Sequence, residues 1–188
     1  TVHGTARLVS YNSLEADLED AYQSPVLDVI NVHFGGEAES DPTLLHTYLA
    51  GHWDRGKAMV VDEFANGVTD PALLRRMGWT IVTSGGHFHI EDADLTSDPW
   101  GTVAAVDTFV RESGWDFLAA RPDPVRASVA TCMATDDPEP VEVVCYVADG
   151  GAVDVDLPAG TWEARWFDAA TGQPLSTTEL VTSGGVTA

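Results

Sequence analysis

GKAMVVDEFANG, residues 56–67, opens with the chain's only lysine, Lys57, and runs through four apolar residues into Asp62, Glu63 and Phe64. A continuous apolar run bounded by glycines reads as a strand buried on both faces, as in a parallel sheet under helices. Two carboxylates at its C-terminal end are costly to bury unless they are hydrogen-bonded or functional. In an α/β barrel that end is where catalytic groups sit. Glu63 is therefore the candidate catalytic carboxylate. A solvated strand end is the alternative that this stretch leaves open.

The surrounding sequence supplies units of the same kind. Residues 1–5 read as a short strand. Residues 13–22 read as a helix, with Leu14, Leu18 and Ala21 at helical spacing and Ser13 as N-cap. Residues 25–34 form a second apolar strand that ends in polar residues and Gly35-Gly36. Asp41-Pro42 and Asp70-Pro71 each join an N-cap to a proline in the first turn, opening helices through about residues 53 and 77. Residues 79–83, WTIVT, read as a fourth strand running into Ser84-Gly-Gly-His-Phe-His89. Asp98-Pro99 opens another helix through about residue 111, and residues 115–121 add a short one.

Alternation of strand and helix, with polar residues at the strand ends, is the pattern of βα units on a parallel sheet. Four units make half of a (β/α)8 barrel, whose usual length is about 250 residues. A doubly wound sheet also fits, although no glycine-rich phosphate fingerprint follows the first strand.

After Arg121-Pro-Asp-Pro124 the pattern changes. Residues 126–134, 141–148, 152–157, 161–167 and 175–181 are short β-type runs separated by turn signals such as Asp149-Gly150-Gly151 and Ala170-Thr171-Gly172. In one of them Val153, Val155 and Leu157 alternate with Asp154 and Asp156, as in a half-buried antiparallel strand. The expected fold is thus α/β plus all-β. Residues 1–122 are a partial barrel and residues 123–188 a small antiparallel β-sandwich.

The two cysteines, Cys132 and Cys145, fall in the first two of these β runs. If Thr135 faces Glu142 across the hairpin, antiparallel pairing sets Cys132 directly opposite Cys145. Directly opposed residues come within about 4.5 to 5.5 Å between Cα atoms, close enough for a disulfide. Two buried thiols in adjacent strands are the alternative.

The chain has 188 residues, 44% of them hydrophobic, and no apolar run of membrane-span length. Its formal net charge is −21, from 30 acidic against 9 basic residues scattered through globular patterns. Such a field repels nucleic acid and anionic lipid and suits a neutral ligand. It is also the surface expected of a protein from a high-salt habitat, where ions screen self-repulsion. No signal-peptide pattern opens the chain, and no cofactor or metal motif appears.

The sequence resembles a known family in two places. VVDEFAN, followed one unit later by the tryptophan-containing strand and GGHFH, is similar to the seventh and eighth βα units of apiosidase-like (β/α)8 glycosidases. YVADGGAVDVDLPAGTWEARWFDAATGQPL, residues 146–175, resembles the small β domain that follows such barrels, which family collections label collagen-binding. The resemblance implies a secreted, extracellular fragment of a retaining glycoside hydrolase acting on a polysaccharide or oligosaccharide side chain, beginning at the fifth barrel strand and clipped at its C-terminus. It also implies that Glu63 is the nucleophile. The acid/base carboxylate would end strand four, upstream of Thr1, so this polypeptide alone is expected to be inactive. A non-catalytic carbohydrate- or matrix-binding protein is the rival reading.

His33 and His3, at expected strand ends, and His87 and His89, after Gly85-Gly86, are the candidate substrate-binding residues. Asp62, the strand neighbour of Glu63, is expected to face the helix layer or to cap the next segment. Glu91 and Asp92 lie near His87 and His89, but no second ligand pair at metal spacing accompanies them. Trp162 and Trp166 share a strand face and are expected to fill the sandwich core; exposed, they form a sugar-binding platform.

Overall fold

A computed structural model describes residues 10–14, 18–33, 41–64, 68–90, 99–117, 119–123, 127, 130–135, 141–182 and 185–187, with the side chains of 10–14, 18, 63, 99 and 185–187 outside the description. The expected strand at 1–5, with His3, lies outside the described residues.

The chain is a mixed α/β protein of small sheets and few helices. Four strands, β1 (Ser10–Leu14), β2 (Val29–His33), β3 (Ala58–Phe64) and β4 (His87–Ile90), form one parallel sheet in sequential order. Helices α1 (Leu18–Gln23), α2 (Pro42–His52) and α3 (Pro71–Thr83) alternate with them. The Asp-Pro starts act as expected. Asp41 accepts from the Thr43 amide at 2.8 Å and Asp70 from the Ala72 amide at 2.9 Å, each with proline in the first turn.

One core lies on one side of this sheet. Ile30, Val32, Met59, Val61 and Phe64 from the strands meet Tyr22, Leu45, Leu49, Leu74, Met77 and Ile81 from the three helices. In β2 the odd-numbered residues Val29, Asn31 and His33 are less buried than Ile30 and Val32, so alternation gives the sheet a second face away from the helices.

Two expectations around the sheet and its helices are corrected. Ser13 does not cap a helix: it lies inside β1, paired with Val32 of β2, and the helix begins at Leu18. Residues 79–83 are not a strand but the last turns of α3, and the fourth strand is His87–Ile90. The cause is burial on two sides. Leu74, Met77 and Ile81 face the sheet, whereas Trp79 belongs to a second core shared with Ala105, Phe109, Trp115 and Met133. A helix covered all round reads as a continuous apolar run, which periodicity cannot tell from a strand. The helix ends in a Schellman motif. Gly85, at φ 81°, follows the cap residue Ser84, and the amides of Gly85 and Gly86 bond the carbonyls of Val82 and Ile81.

Helix α4 (Pro99–Ser113) follows β4 and packs on α3 where Gly78 leaves room: a Cβ there meets Thr102 Cγ2 at 2.5 Å. No helix forms in the described part of 115–121; that segment turns into β5 (Arg121–Pro122).

The remaining strands among the described residues are β6 (Thr131–Ala134), β7 (Val143–Tyr146), β8 (Val155–Leu157), β9 (Gly160–Phe167), β10 (Pro174–Thr182) and β11 (Gly185–Thr187). They pair antiparallel in three small sheets, β5-β6-β7, β8 with β11, and β9 with β10. The hairpin register is the expected one. The Thr135 amide donates to the Glu142 carbonyl at 2.9 Å, and Cys132 lies opposite Cys145. Their Cα atoms are 4.1 Å apart and a disulfide joins them. The Cys132 carbonyl accepts instead from Asp123 on the other side, as in the closely spaced, non-hydrogen-bonded type of antiparallel pair.

This β region is seated on α3 and α4. Trp79 stacks at 5.3 Å edge-to-face on Phe109, which meets Phe167 at 4.9 Å in the same manner. Trp79 Nε1 donates to the Ala169 carbonyl at 2.8 Å, and the hydroxyls of Thr83 and Thr131 are 2.6 Å apart.

Candidate functional site

The side of the parallel sheet turned away from the helices carries polar residues in rows. Register sets Asn31 beside Val60, and Val60 beside His87. Two residues further along each strand come His33, Asp62 and His89, at the C-terminal rim. Phe88 and Ile90 pack against the helix-side core, which leaves the exposed His87 and His89 to this face.

Asp62 and His89 are bonded, with Oδ1 3.0 Å from Nδ1. The side chains differ in access: Asp62 is 11% exposed and His89 61%. The expectation that Asp62 faces the helix layer is therefore corrected. Met59 and Val61 take the helix side, which by alternation sends Val60 and Asp62 to the other.

A register irregularity accompanies this. Val61 pairs with Phe88, but the next pairing is Phe64 with Ile90, so β3 spends two residues, Asp62 and Glu63, against His89 alone. The extra residue returns Phe64 to the helix-side core, where its ring lies 4.6 Å from that of Phe88. Bulges of this type re-aim side chains next to functional sites and leave no reliable mark in sequence. Glu63 belongs to this bulge by its backbone; its side chain is outside the description.

Four of the five expected site residues have a backbone position. His33 ends β2, His87 and His89 lie on β4, and Glu63 is in the β3 bulge. His3 is outside the described residues. Protein atoms crowd the exposed His87 ring without enclosing it, and this desolvation pushes its pKa below the ordinary histidine value. The Asp62–His89 bond and Asn31 were missed from the sequence. Alternation in VINVH was the available signal for Asn31.

The loop that delivers β4 is closely packed. Gly85 lets Trp53 and Pro122 approach its Cα, and a Cβ on Gly86 meets Leu49 at 2.9 Å. Among the described residues no group of three or more His, Cys, Asp or Glu side chains is arranged to hold a metal ion. No described helix is long and apolar enough to cross a membrane.

Away from this rim, Trp166 is 44% exposed and does not fill a core. It shares a face of the β9–β10 ribbon with Trp162 and Leu180, both half-buried. Trp100 is also exposed.

No family model, no curated protein and no solved structure matches this chain.

Proposed function

We propose that the rim of the parallel sheet is part of a carbohydrate-processing site in a glycoside-hydrolase-like (β/α)8 protein. Glu63 is the nucleophile of a retaining hydrolysis, and His33, His87 and His89 line the saccharide subsite. The observation that carries this reading is the row of His33, Asp62 and His89 at the C-terminal ends of adjacent parallel strands, with Glu63 in the bulge beside it.

The sheet favours a barrel over a doubly wound arrangement. Sequential strand order with α1, α2 and α3 all on one side follows from right-handed crossovers added at one edge. A doubly wound sheet reverses direction and places helices on both faces. The β region, residues 123–188, is read as an appended sandwich. A charge of −21 supports a neutral saccharide over an anionic one. The Cys132–Cys145 disulfide supports secretion to an oxidising compartment.

Retention requires a second carboxyl about 5 to 5.5 Å from the nucleophile. In this reading it comes from outside residues 1–188, so the chain alone leaves unactivated glycosides intact. A leaving group that needs no protonation bypasses this requirement. The test is therefore incubation with dinitrophenyl 2-deoxy-2-fluoroglycosides followed by peptide mass spectrometry. A fluoroglycosyl ester on Glu63, absent in Glu63→Gln, is the expected result. Absence of labelling across gluco, xylo and arabino probes rejects the nucleophile assignment.

The exposed Trp166, on the same ribbon face as Trp162, favours a second reading, in which the β region itself holds polysaccharide without catalysis. Retardation of the protein in cellulose- or xylan-containing gels, abolished by Trp166→Ala, is its test. Unchanged mobility in every gel rejects it.

A further inference from the structure

We propose that Asp62 and His89 form the proton-accepting pair of this rim: Asp62 fixes the His89 ring as its Nδ1–H tautomer, and the Nε2 lone pair accepts the hydrogen of a saccharide hydroxyl. The inference rests on reading the rim as a saccharide site, and adds a role for Asp62 and a hydrogen-bond polarity for His89.

The polarity follows from the donor and acceptor inventory. An ionised carboxylate only accepts, so across the 3.0 Å contact the hydrogen belongs to Nδ1. A neutral imidazole with hydrogen on Nδ1 carries a lone pair on Nε2. The anchoring carboxylate is the enclosed partner and the ring the open one, at 11% against 61% exposure. That is the arrangement of a held base presented to solvent, whereas an incidental surface pair has both groups open. The bulge adds a reason for the geometry, because it spends two residues of β3 on the one position of His89.

The neighbours select the ligand. His87, on the same face two residues earlier, is pushed toward its neutral form by desolvation, and the strand register sets that ring near the Asp62 carboxylate. Such a surface takes O–H donors, and the net charge of −21 turns away uronates and sulfated sugars. The ligand class is a neutral oligosaccharide. Asp62 is a positioning residue here, acting through His89.

The test is 15N NMR of the histidine rings in the full chain at a pH where they are neutral. His89 is expected as the Nδ1–H tautomer. Asp62→Ala shifts it toward the Nε2–H form that unconstrained histidines favour, and Asp62→Asn, which still offers a carbonyl oxygen, preserves the wild-type form. Millimolar xylohexaose or cellohexaose should move the Nε2 resonance, with polygalacturonate inert, and His89→Ala should weaken that oligosaccharide by about tenfold, the loss of one hydrogen bond. Amide spectra establish that the variants fold. An Nε2–H tautomer in the wild type, or a resonance that neither neutral oligosaccharide moves, overturns the proposal. Fluoroglycoside labelling of Glu63 with an unmoved His89 leaves the hydrolase reading standing without this pair. A moved His89 without labelling does the reverse.

Discussion

Nδ1 of His46, on α2, lies 2.8 Å from Oγ of Ser84, the fully buried residue that caps α3. One hydroxyl thus ties two helices together immediately before the chain turns into β4 and its two rim histidines. The serine donates to a neutral ring or accepts from a protonated one, so the bond persists in both states. Charging the ring costs desolvation, and burial accordingly pushes the His46 pKa below its ordinary value.

The sign of the pH effect follows. With the folded pKa below the unfolded one, the unfolded chain binds the proton more readily. Stability from this group is complete above about pH 6.5, the unfolded value, and declines as pH falls toward the folded pKa. His87 contributes with the same sign. Urea unfolding of wild type and His46→Gln from about pH 8 downward should show the wild type losing stability more steeply below pH 6.5. Parallel curves refute it. Ser84→Ala should cost about 1 to 2 kcal/mol at neutral pH, for a buried hydrogen bond left half made.

The parts of this arrangement that were legible in sequence are those set locally. Asp41-Pro42 and Asp70-Pro71 announce helix starts through capping chemistry confined to four residues. MVVDEF reads correctly as a strand, but of its described side chains only Met59, Val61 and Phe64 are buried, while Val60 and Asp62 on the other face are half-buried, so the expected burial on both faces is not met. The Cys132–Cys145 register follows from hairpin arithmetic; burial does not pick the face, because residues on both faces of β6 are buried. What failed was decided by distant contacts. Trp79 to Thr83 is buried throughout because the sheet covers one side of α3 and the β region the other. Ser13 is a good cap, but its backbone pairs with Val32. Of the candidate site, His33 was legible as the polar close of an apolar strand, whereas His87 and His89 were picked out behind a segment that is helix and stand within β4 itself. The Asp62–His89 bond was not, because it depends on which face Asp62 takes and on an irregular register beside it.

Gly172 supplies a sharp packing test. Its φ is 71°, and a Cβ there falls on the carbonyl oxygen of Ala105 and 2.7 Å from the amide of Phe109, both backbone atoms of α4. Gly150 has a similar φ, 66°, with open space around it. Gly150→Ala should therefore cost only the left-handed backbone penalty of about 1 kcal/mol. Gly172→Ala adds a steric clash that only displacement of the β9–β10 turn from α4 relieves, and should cost more than about 2 kcal/mol. Equal melting shifts for the two variants reject this account of the α4 contact.

The disulfide spans 13 residues. Closing a loop of that size removes chain entropy from the unfolded state worth about 3 kcal/mol in the loop-closure model. Reduction, or the Cys132→Ala/Cys145→Ala pair, should lower the unfolding free energy by up to that amount, with the buried Cys132 site adding a small packing loss. Thiol alkylation with mass spectrometry checks the premise. Two alkylatable thiols in unreduced protein from its native compartment contradict the bond.

The charge carries the last expectation. Thirty acidic residues face nine basic ones, and several of the arginines are already engaged at the surface: Arg55 with Glu19, Arg76 with Asp149, Arg111 with Asp107, Arg165 with Glu163. Such exposed pairs are worth about 0 to 1 kcal/mol each, too little to offset repulsion among the remaining carboxylates. Folding concentrates those charges and unfolding separates them, so screening favours the folded state. Between about 0.01 M and 1 M KCl the Debye length contracts from about 30 to about 3 Å. The melting midpoint should rise across that interval and level off near its end, where neighbouring charges are already screened. Potassium chloride is the salt to use, because sulfate strengthens apolar burial by exclusion from the surface and raises the midpoint for another reason. A midpoint that stays flat, or falls as the four ion pairs weaken, shows that the acidic surface is neutral for stability and removes the argument for a high-salt habitat.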